Sequence, residues 1–221
     1  MKQNSEGDRK VIETLGEVLA GSDQPLVVTS GTGLARSKTG DPATEIDDHV
    51  TSDEFPRAAT DEAADTFIQQ GERVIVMRLP QGHDTRRFGR ITEQIKLARQ
   101  HGRVACVGEG KNRLPAVHIS DAARLYLLAL EKGHAGARYH AVGEEGVALR
   151  DIANLIGAVL KLPVESITLD EGIGYFGWLG NLSTIDRAAS GTQTRQQLGW
   201  NCTGPDLLAD LSNMDVHFQS Q

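Results

Sequence analysis

The chain has 221 residues, 39% hydrophobic and 24% charged, with 23 Lys and Arg against 30 Asp and Glu for a formal net charge of −7. This composition supports a folded core rather than a disordered chain, and the acidic balance argues against general nucleic-acid binding. No apolar run approaches the roughly 18 residues of a membrane span. The opening MKQNSEGDRK lacks a signal-peptide core, and Cys106 and Cys202 show no metal spacing, so a reducing, cytoplasmic setting is expected.

In chain order, Val11, Ile12, Leu15, Val18 and Leu19 recur at helical spacing and predict a helix over 8–20, stopped by Gly21. LVVTS (26–30) is a short strand, apolar enough to be buried on both faces, ending in a turn at Gly31-Thr32-Gly33. Residues 34–56 are polar and read as a long surface loop. An alanine-rich stripe through Phe67 and Ile68 predicts a helix over 57–70. Strand 74–79 follows, then PQGHD as a loop, then an amphipathic helix over 87–101 that turns Phe88, Ile91, Ile95 and Ala98 inward. Val104–Val107 and Ala116–Ile119 are short strands around a glycine turn that carries Lys111 and Arg113. Ser120 or Asp121 is expected to cap the next helix, which buries Ala122, Leu125, Tyr126, Leu128 and Ala129. Strand 138–142, helix 149–160, strand 165–168, an aromatic cluster at Tyr175–Trp178, small helices near 192–198 and 205–212, and a loose tail complete the chain.

Alternating helices and strands indicate an α/β protein with a parallel sheet and helices on both faces. Ligands in such sheets sit beyond the carboxyl ends of the strands, which points to Thr29–Thr32 and Leu79–His83.

Five segments in order resemble a known family. They are LVVTSGT (26–32), VIVMRLPQGHD (74–84), VGEGKNRLPAVHISDAARLYLLALE (107–131), RYHAVGEEGVALRDIANLIGAVL (138–160) and TRQQLGW (194–200). Together they resemble the C-terminal two thirds of NAD-dependent epimerase/dehydratase proteins, the extended or atypical short-chain dehydrogenase/reductases. The resemblance implies a partial Rossmann-type parallel sheet plus a smaller C-terminal substrate-binding lobe. The corresponding borders are residues 1–106 for the cofactor domain, 107–212 for the lobe interleaved with the sheet, and 213–221 for the tail. It implies an NAD or NADP cofactor, a small carbonyl or sugar-nucleotide-like substrate, and a homodimer through helices 8–20 and 57–70. Ser30, Leu79, Pro80, Gly82 and His83 then belong beside the cofactor, Ser30, Thr32 and His83 to catalysis, and Arg113 to an anionic substrate group.

Two departures qualify this picture. The family opens with a strand, a glycine-rich turn and a helix that hold the pyrophosphate. No such element is present, and Ser30-Gly31-Thr32-Gly33 follows the wrong helix, with Arg36 where a third glycine would stand. The Tyr-x-x-x-Lys pair is also missing: EFPRA (54–58) occupies its place, and no tyrosine has a lysine four residues on. The cofactor site is therefore expected to be incomplete. A non-catalytic NAD(P)-binding or ligand-sensing relative, or an inactive truncated form, are the alternatives.

Each candidate also has a plainer reading. Ser30 and Thr32 would form a turn, His83 would be an exposed loop histidine, and Arg113 would pair with Glu109. Asp121 would cap its helix with His118 packed beneath. Arg86, Arg87, Arg90, Lys96, Arg99 and Arg103 would be a solvated basic face. Asp47, Asp48 and His49, adjacent in a loop, converge poorly on one metal ion.

Overall fold

The computed structural model describes residues 2–37, 40–180 and 184–215, without the side chain of Trp178. Its elements in chain order begin with α1 (Lys2–Leu19), β1 (Leu26–Gly31), α2 (Ala59–Gln69), β2 (Val74–Leu79), β3 (Gln81–His83), α3 (Arg90–His101), β4 (Val104–Val107) and β5 (Arg113–His118). They continue with α4 (Ile119–Lys132), β6 (Arg138–His140), β7 (Glu144–Ala148), α5 (Leu149–Leu160), β8 (Val164–Ile167), α6 (Leu169–Phe176), α7 (Thr192–Leu198) and α8 (Leu207–Ser212). The expected α/β class with parallel strands is what the chain forms.

Two compact units alternate along the chain. The first takes Met1–Pro80, Ser120–Val142 and Ala189–Cys202, and the second takes Gln81–Ile119, Gly143–Ala188 and Thr203–Gln221. Residues 81–106 thus pack with the second unit, whereas the resemblance implied a cofactor domain to 106 and a lobe from 107 interleaved with the sheet. Most of the expected tail, residues 216–221, lies outside the described residues, but Met214 is buried in the core of the second unit.

The first unit is built on a parallel sheet in the order β1–β2–β6. Ile12, Ala63, Ala64 and Phe67 of α1 and α2 pack with Val28, Val74 and Val76. Gly16 makes this crossing possible, because a Cβ there would lie 2.5 Å from the Phe67 ring. Only Ile12 of the apolar stripe expected on α1 is buried, and Val11, Leu15 and Val18 face solvent. The stripe is wider than the strip α2 covers. β1 also differs from expectation: among the described residues it pairs only with β2, and Thr29 is exposed, so it is an edge strand. β2 is the strand buried on both faces, from Val74 to Arg78. In α4, Leu125 and Ala129 are buried, and Ser120 and Asp121 lie within the first turn instead of capping it.

The second unit holds β3–β5–β7, with β3 and β5 parallel and β5 and β7 antiparallel, and the parallel pair β4–β8. Phe88, Ile91, Ile95 and Ala98 form one core with Ile152 and Ile156 of α5 and Leu207 and Leu211 of α8. The periodicity of α3 is followed, and Gly102 ends that helix at φ +66°. Tyr175 and Phe176 pack against Ala105, Ile167 and Leu179, which makes the aromatic cluster a core feature. β3 and β7 were invisible in the sequence. They are three and five residues long with mixed polarity, and only pairing to β5 makes them strands.

Candidate functional site

Parallel register brings the carboxyl ends of β1 and β2 together, with Ser30 opposite Arg78 and Gly31 opposite Leu79. Ser30 and Thr32 are both buried, and Leu79 and Pro80 are half-buried. The Ser30 hydroxyl donates to the Asp61 carboxylate. Asp61 in turn lies 3.7 Å from the Arg78 guanidinium, and both charged side chains are fully buried. Arg78 Nη1 donates to the Asp47 carbonyl at 2.9 Å. The unit therefore uses Ser30 as one member of a buried ionic network, and its hydroxyl proton is committed to a carboxylate.

His140 completes this network from β6. Its Nδ1 donates to the Ser190 carbonyl at 2.9 Å, and Arg78 Nη1 approaches Nε2 at 3.5 Å. Burial and the positive charge of Arg78 push its pKa down to about 4, so the ring is neutral near pH 7. Arg57 lies in the EFPRA segment, residues 54–58. It pairs with Asp8 and donates to the Thr29 carbonyl at 3.0 Å. The Thr29 hydroxyl meets Tyr126 Oη at 2.7 Å. Burial pushes the Tyr126 phenol up, opposite to the direction an acid/base tyrosine needs.

Gly82 and His83 belong to the second unit. His83 is not an exposed loop histidine; it is 0% exposed. Its Nδ1 lies 2.7 Å from Asp210 of α8, and Nε2 is 3.7 Å from Glu144 of β7. His118 approaches the same Asp210 oxygen at 3.8 Å, and the two imidazoles meet edge to face with centroids 5.7 Å apart. Burial alone would lower the His83 pKa, but the carboxylates of Glu144 and Asp210 outweigh it and raise it.

Arg113 lies at the start of β5 and grips Asp186 with its side-chain fork. Nη2 is 2.7 Å from Oδ2, Nε is 3.1 Å from Oδ1, and the Arg113 backbone N–H also donates to Asp186. Glu109, its expected partner, pairs with Lys111 instead. Both Arg113 and Asp186 side chains are 37% exposed, which leaves them within reach of a ligand. In the same unit burial pushes Arg90 below the usual arginine range, and burial together with the like charge of Arg90 does so for Arg187. Arg90 is half-buried and so departs from the solvated basic face read along residues 86–103.

His118 and Asp121 each have another charged neighbour, Asp210 for the first and Arg124 for the second. Trp200 Nε1 donates to the Asp121 carbonyl at 3.0 Å, which makes this residue an anchor for the segment after α7. His49 pairs with Asp65, while Asp47 accepts from the Thr44 N–H, so the two point to different tasks. Among the described residues no group of three His, Cys, Asp or Glu could hold a metal ion. Sequence reasoning missed Asp61, Arg78, His140, Glu144, Asp186 and Asp210. For Arg78 a signal existed: an arginine ending an apolar strand, VIVMR, is costly to bury without partners.

A dinucleotide needs a strand, a glycine turn and a helix N-terminus for its pyrophosphate. The chain's nearest sequence, Gly31-Thr32-Gly33, continues into one 3-10 turn over Thr32–Leu34 and not into a helix. It does not fit that group.

Comparison with known proteins agrees with the fold. No family model matches the chain. It is 40% identical over 212 residues to the uncharacterized protein C2A9.02 of Schizosaccharomyces pombe, covering 96% of this chain and 71% of that protein. It is 36% identical over 214 residues to the uncharacterized protein YLL056C of Saccharomyces cerevisiae, covering 95% of this chain and 70% of that one. The chain belongs to the same family as these two yeast proteins. Among solved structures, dTDP-glucose 4,6-dehydratase DesIV from Streptomyces venezuelae, with NAD and TYD bound, matches with a TM-score of 0.74 at 18% identity. That match covers 98% of this chain and 66% of the dehydratase. UDP-glucuronic acid 4-epimerase from Bacillus cereus, in complex with UDP-glucuronic acid and NAD, matches with a TM-score of 0.70 at 13% identity, covering 96% of this chain and 67% of the epimerase. The chain thus has the fold of these epimerases and dehydratases and spans about two thirds of their length.

Proposed function

We propose that the chain is part of an NAD(P)-dependent oxidoreductase or epimerase acting on a small carbonyl or sugar-nucleotide-like substrate, with the cofactor site incomplete in this chain. The observation that carries the reading is the TM-score of 0.74 to a dehydratase crystallised with NAD, together with open strand ends at Gly31 and Leu79. Thr32, Leu79 and Pro80 would border the nicotinamide side. Arg113 would hold an anionic substrate group, exchanging Asp186 for the ligand. Arginine suits such a group because its planar fork matches two oxygens at once. Burial disfavours the charge of Arg90 and Arg187, and the like charge of Arg90 adds to this at Arg187, so an anion in the same unit would be favoured. Cys106 and Cys202 are not joined in a disulfide, which suits a reducing, cytoplasmic compartment. Among the described residues no helix is long and apolar enough to cross a membrane.

Isothermal titration with NAD⁺, NADP⁺ and UDP-glucuronic acid tests the proposal. The expected result is weak or absent dinucleotide binding by this chain and measurable binding of the sugar nucleotide, lost in Arg113→Ala. Tight dinucleotide binding would overturn the incomplete-site part, and no sugar-nucleotide binding would overturn the substrate class.

A second reading, a non-catalytic ligand-binding relative, rests on the commitment of Ser30 to Asp61 and of His83 to Asp210. The Ser30 hydroxyl proton is engaged and the His83 ring is 0% exposed, so neither is presented to a substrate, and no Tyr-x-x-x-Lys replaces them. Turnover of a carbonyl or sugar-nucleotide substrate would exclude it. The proposed homodimer is supported by Val11, Leu15 and Val18, exposed along α1. Light scattering that gives a monomer mass would remove it.

A further inference from the structure

The second unit places a buried histidine where four segments meet, and the functional reading leaves it without a task. His83 comes from β3, His118 from β5, Glu144 from β7 and Asp210 from α8. These are the titratable groups that face the ring from the elements around it. Both carboxylates also secure α8. Asp210 lies within that helix, and Glu144 accepts from the backbone N–H of Leu207, its first residue, at 2.8 Å. The Asp206 side chain caps the same helix through the Ala209 N–H at 2.7 Å. α8 has six residues, too few to be stable without tertiary contacts. Its position depends on Leu207 and Leu211 in the core and on this ionic junction.

We propose that His83, Asp210 and Glu144 form a protonation-dependent clasp that fastens α8 to the β3–β5–β7 sheet and loosens when His83 loses its proton. The charged ring faces two carboxylates at once, Asp210 within hydrogen-bond distance and Glu144 at 3.7 Å. It donates through Nδ1 to Asp210 and presents a positive Nε2 edge to Glu144. A neutral ring keeps at most one N–H, so one carboxylate faces an uncompensated lone pair in a buried place. His118 is the auxiliary member: it shares the Asp210 oxygen and closes the far side, where the backbone of Gly204 leaves no room for a Cβ (2.6 Å from the His118 ring).

The folded-state pKa of His83 is raised above the ordinary imidazole value of 6.5. The clasp is therefore fully closed below about pH 6.5 and is lost as pH rises through the folded pKa. One proton is involved, so the opening constant of α8 rises by at most about tenfold per pH unit in that window and is flat below it.

The test has two arms on the full chain. In imidazole nitrogen NMR, the His83 midpoint is expected to lie above that of a free imidazole. Hydrogen exchange at residues 207–212, corrected for intrinsic rate, is expected to show opening that increases several-fold between pH 6 and pH 9. In Asp210→Asn the His83 midpoint should fall and the pH dependence of opening should flatten. Glu144→Gln should do the same to a smaller extent, and it serves if the first variant fails to fold. A wild-type His83 that titrates at or below a free imidazole overturns the proposal. So does α8 protection that is independent of pH over the same range.

Discussion

His140 and His83 make an instructive pair, one in each unit. Both rings are 0% exposed and both lie in buried ionic networks, yet their pKa values are pushed in opposite directions. His140 has the Arg78 guanidinium against Nε2 and is held neutral, down to about 4. His83 has carboxylates near both nitrogens, and they raise its pKa. Burial disfavours charge in both places, so the sign of the nearest neighbour decides the outcome. The consequence for stability is a two-sided pH profile. His140 has a folded pKa below its unfolded value, so its contribution is present above about pH 6.5 and is lost as pH falls. His83 has a raised pKa and loses its contribution as pH rises. The stability maximum is expected between the two limbs.

The largest effect should come from removing the group that sets the His140 state. Arg78→Met leaves Asp61 as a buried carboxylate without its cation, and should cost about 3–5 kcal/mol by urea or thermal unfolding. Much of this loss should be recovered in the double variant with Asp61→Asn. The next effect is the acid limb itself. Between pH 6.5 and about 4 the chain should lose up to about 3 kcal/mol, and unfolding midpoints in His140→Gln should no longer show that loss. Third, Asp210→Asn should cost about 1–3 kcal/mol at pH 6 through a weakened buried hydrogen bond, with the alkaline limb flattened. An unchanged alkaline limb would separate His83 from that limb and break the symmetry of the pair. The smallest effect belongs to Arg113→Ala. The Arg113–Asp186 pair has comparable geometry at 2.7 Å but is over one third exposed, so its loss should cost at most about 1 kcal/mol. That variant is the solvent-exposed control for the buried networks, and its consequence is expected in ligand binding instead.

The sequence was most legible where one residue's neighbours along the chain suffice. Ile91, Ile95 and Ala98 mark the inner face of α3 at helical spacing, and α5 and α7 begin and end at the residues their patterns indicate. The same local logic misjudged α1, because periodicity reveals an apolar stripe but not what lies against it. Val11 and Ile12 are equally apolar, and only the position of α2 distinguishes them. The candidate site was legible as a location and not as a set of roles. Parallel pairing brings Ser30, Gly31, Arg78 and Leu79 together as expected of adjacent strand ends.

The sequence by itself determined the α/β alternation, most helix and strand cores, and the segments that recur in a family of folds. These follow from backbone geometry and the burial of apolar faces, which act over a few residues. Tertiary structure alone decided the two interleaved units, the short strands β3 and β7, and the pairing of every buried charge. Ser30 meets Asp61 across 31 positions, Arg113 meets Asp186 across 73, and His83 meets Asp210 across 127. No local pattern encodes such distant partners, and electrostatics in a low-dielectric interior assigns the protonation state only once they are in place.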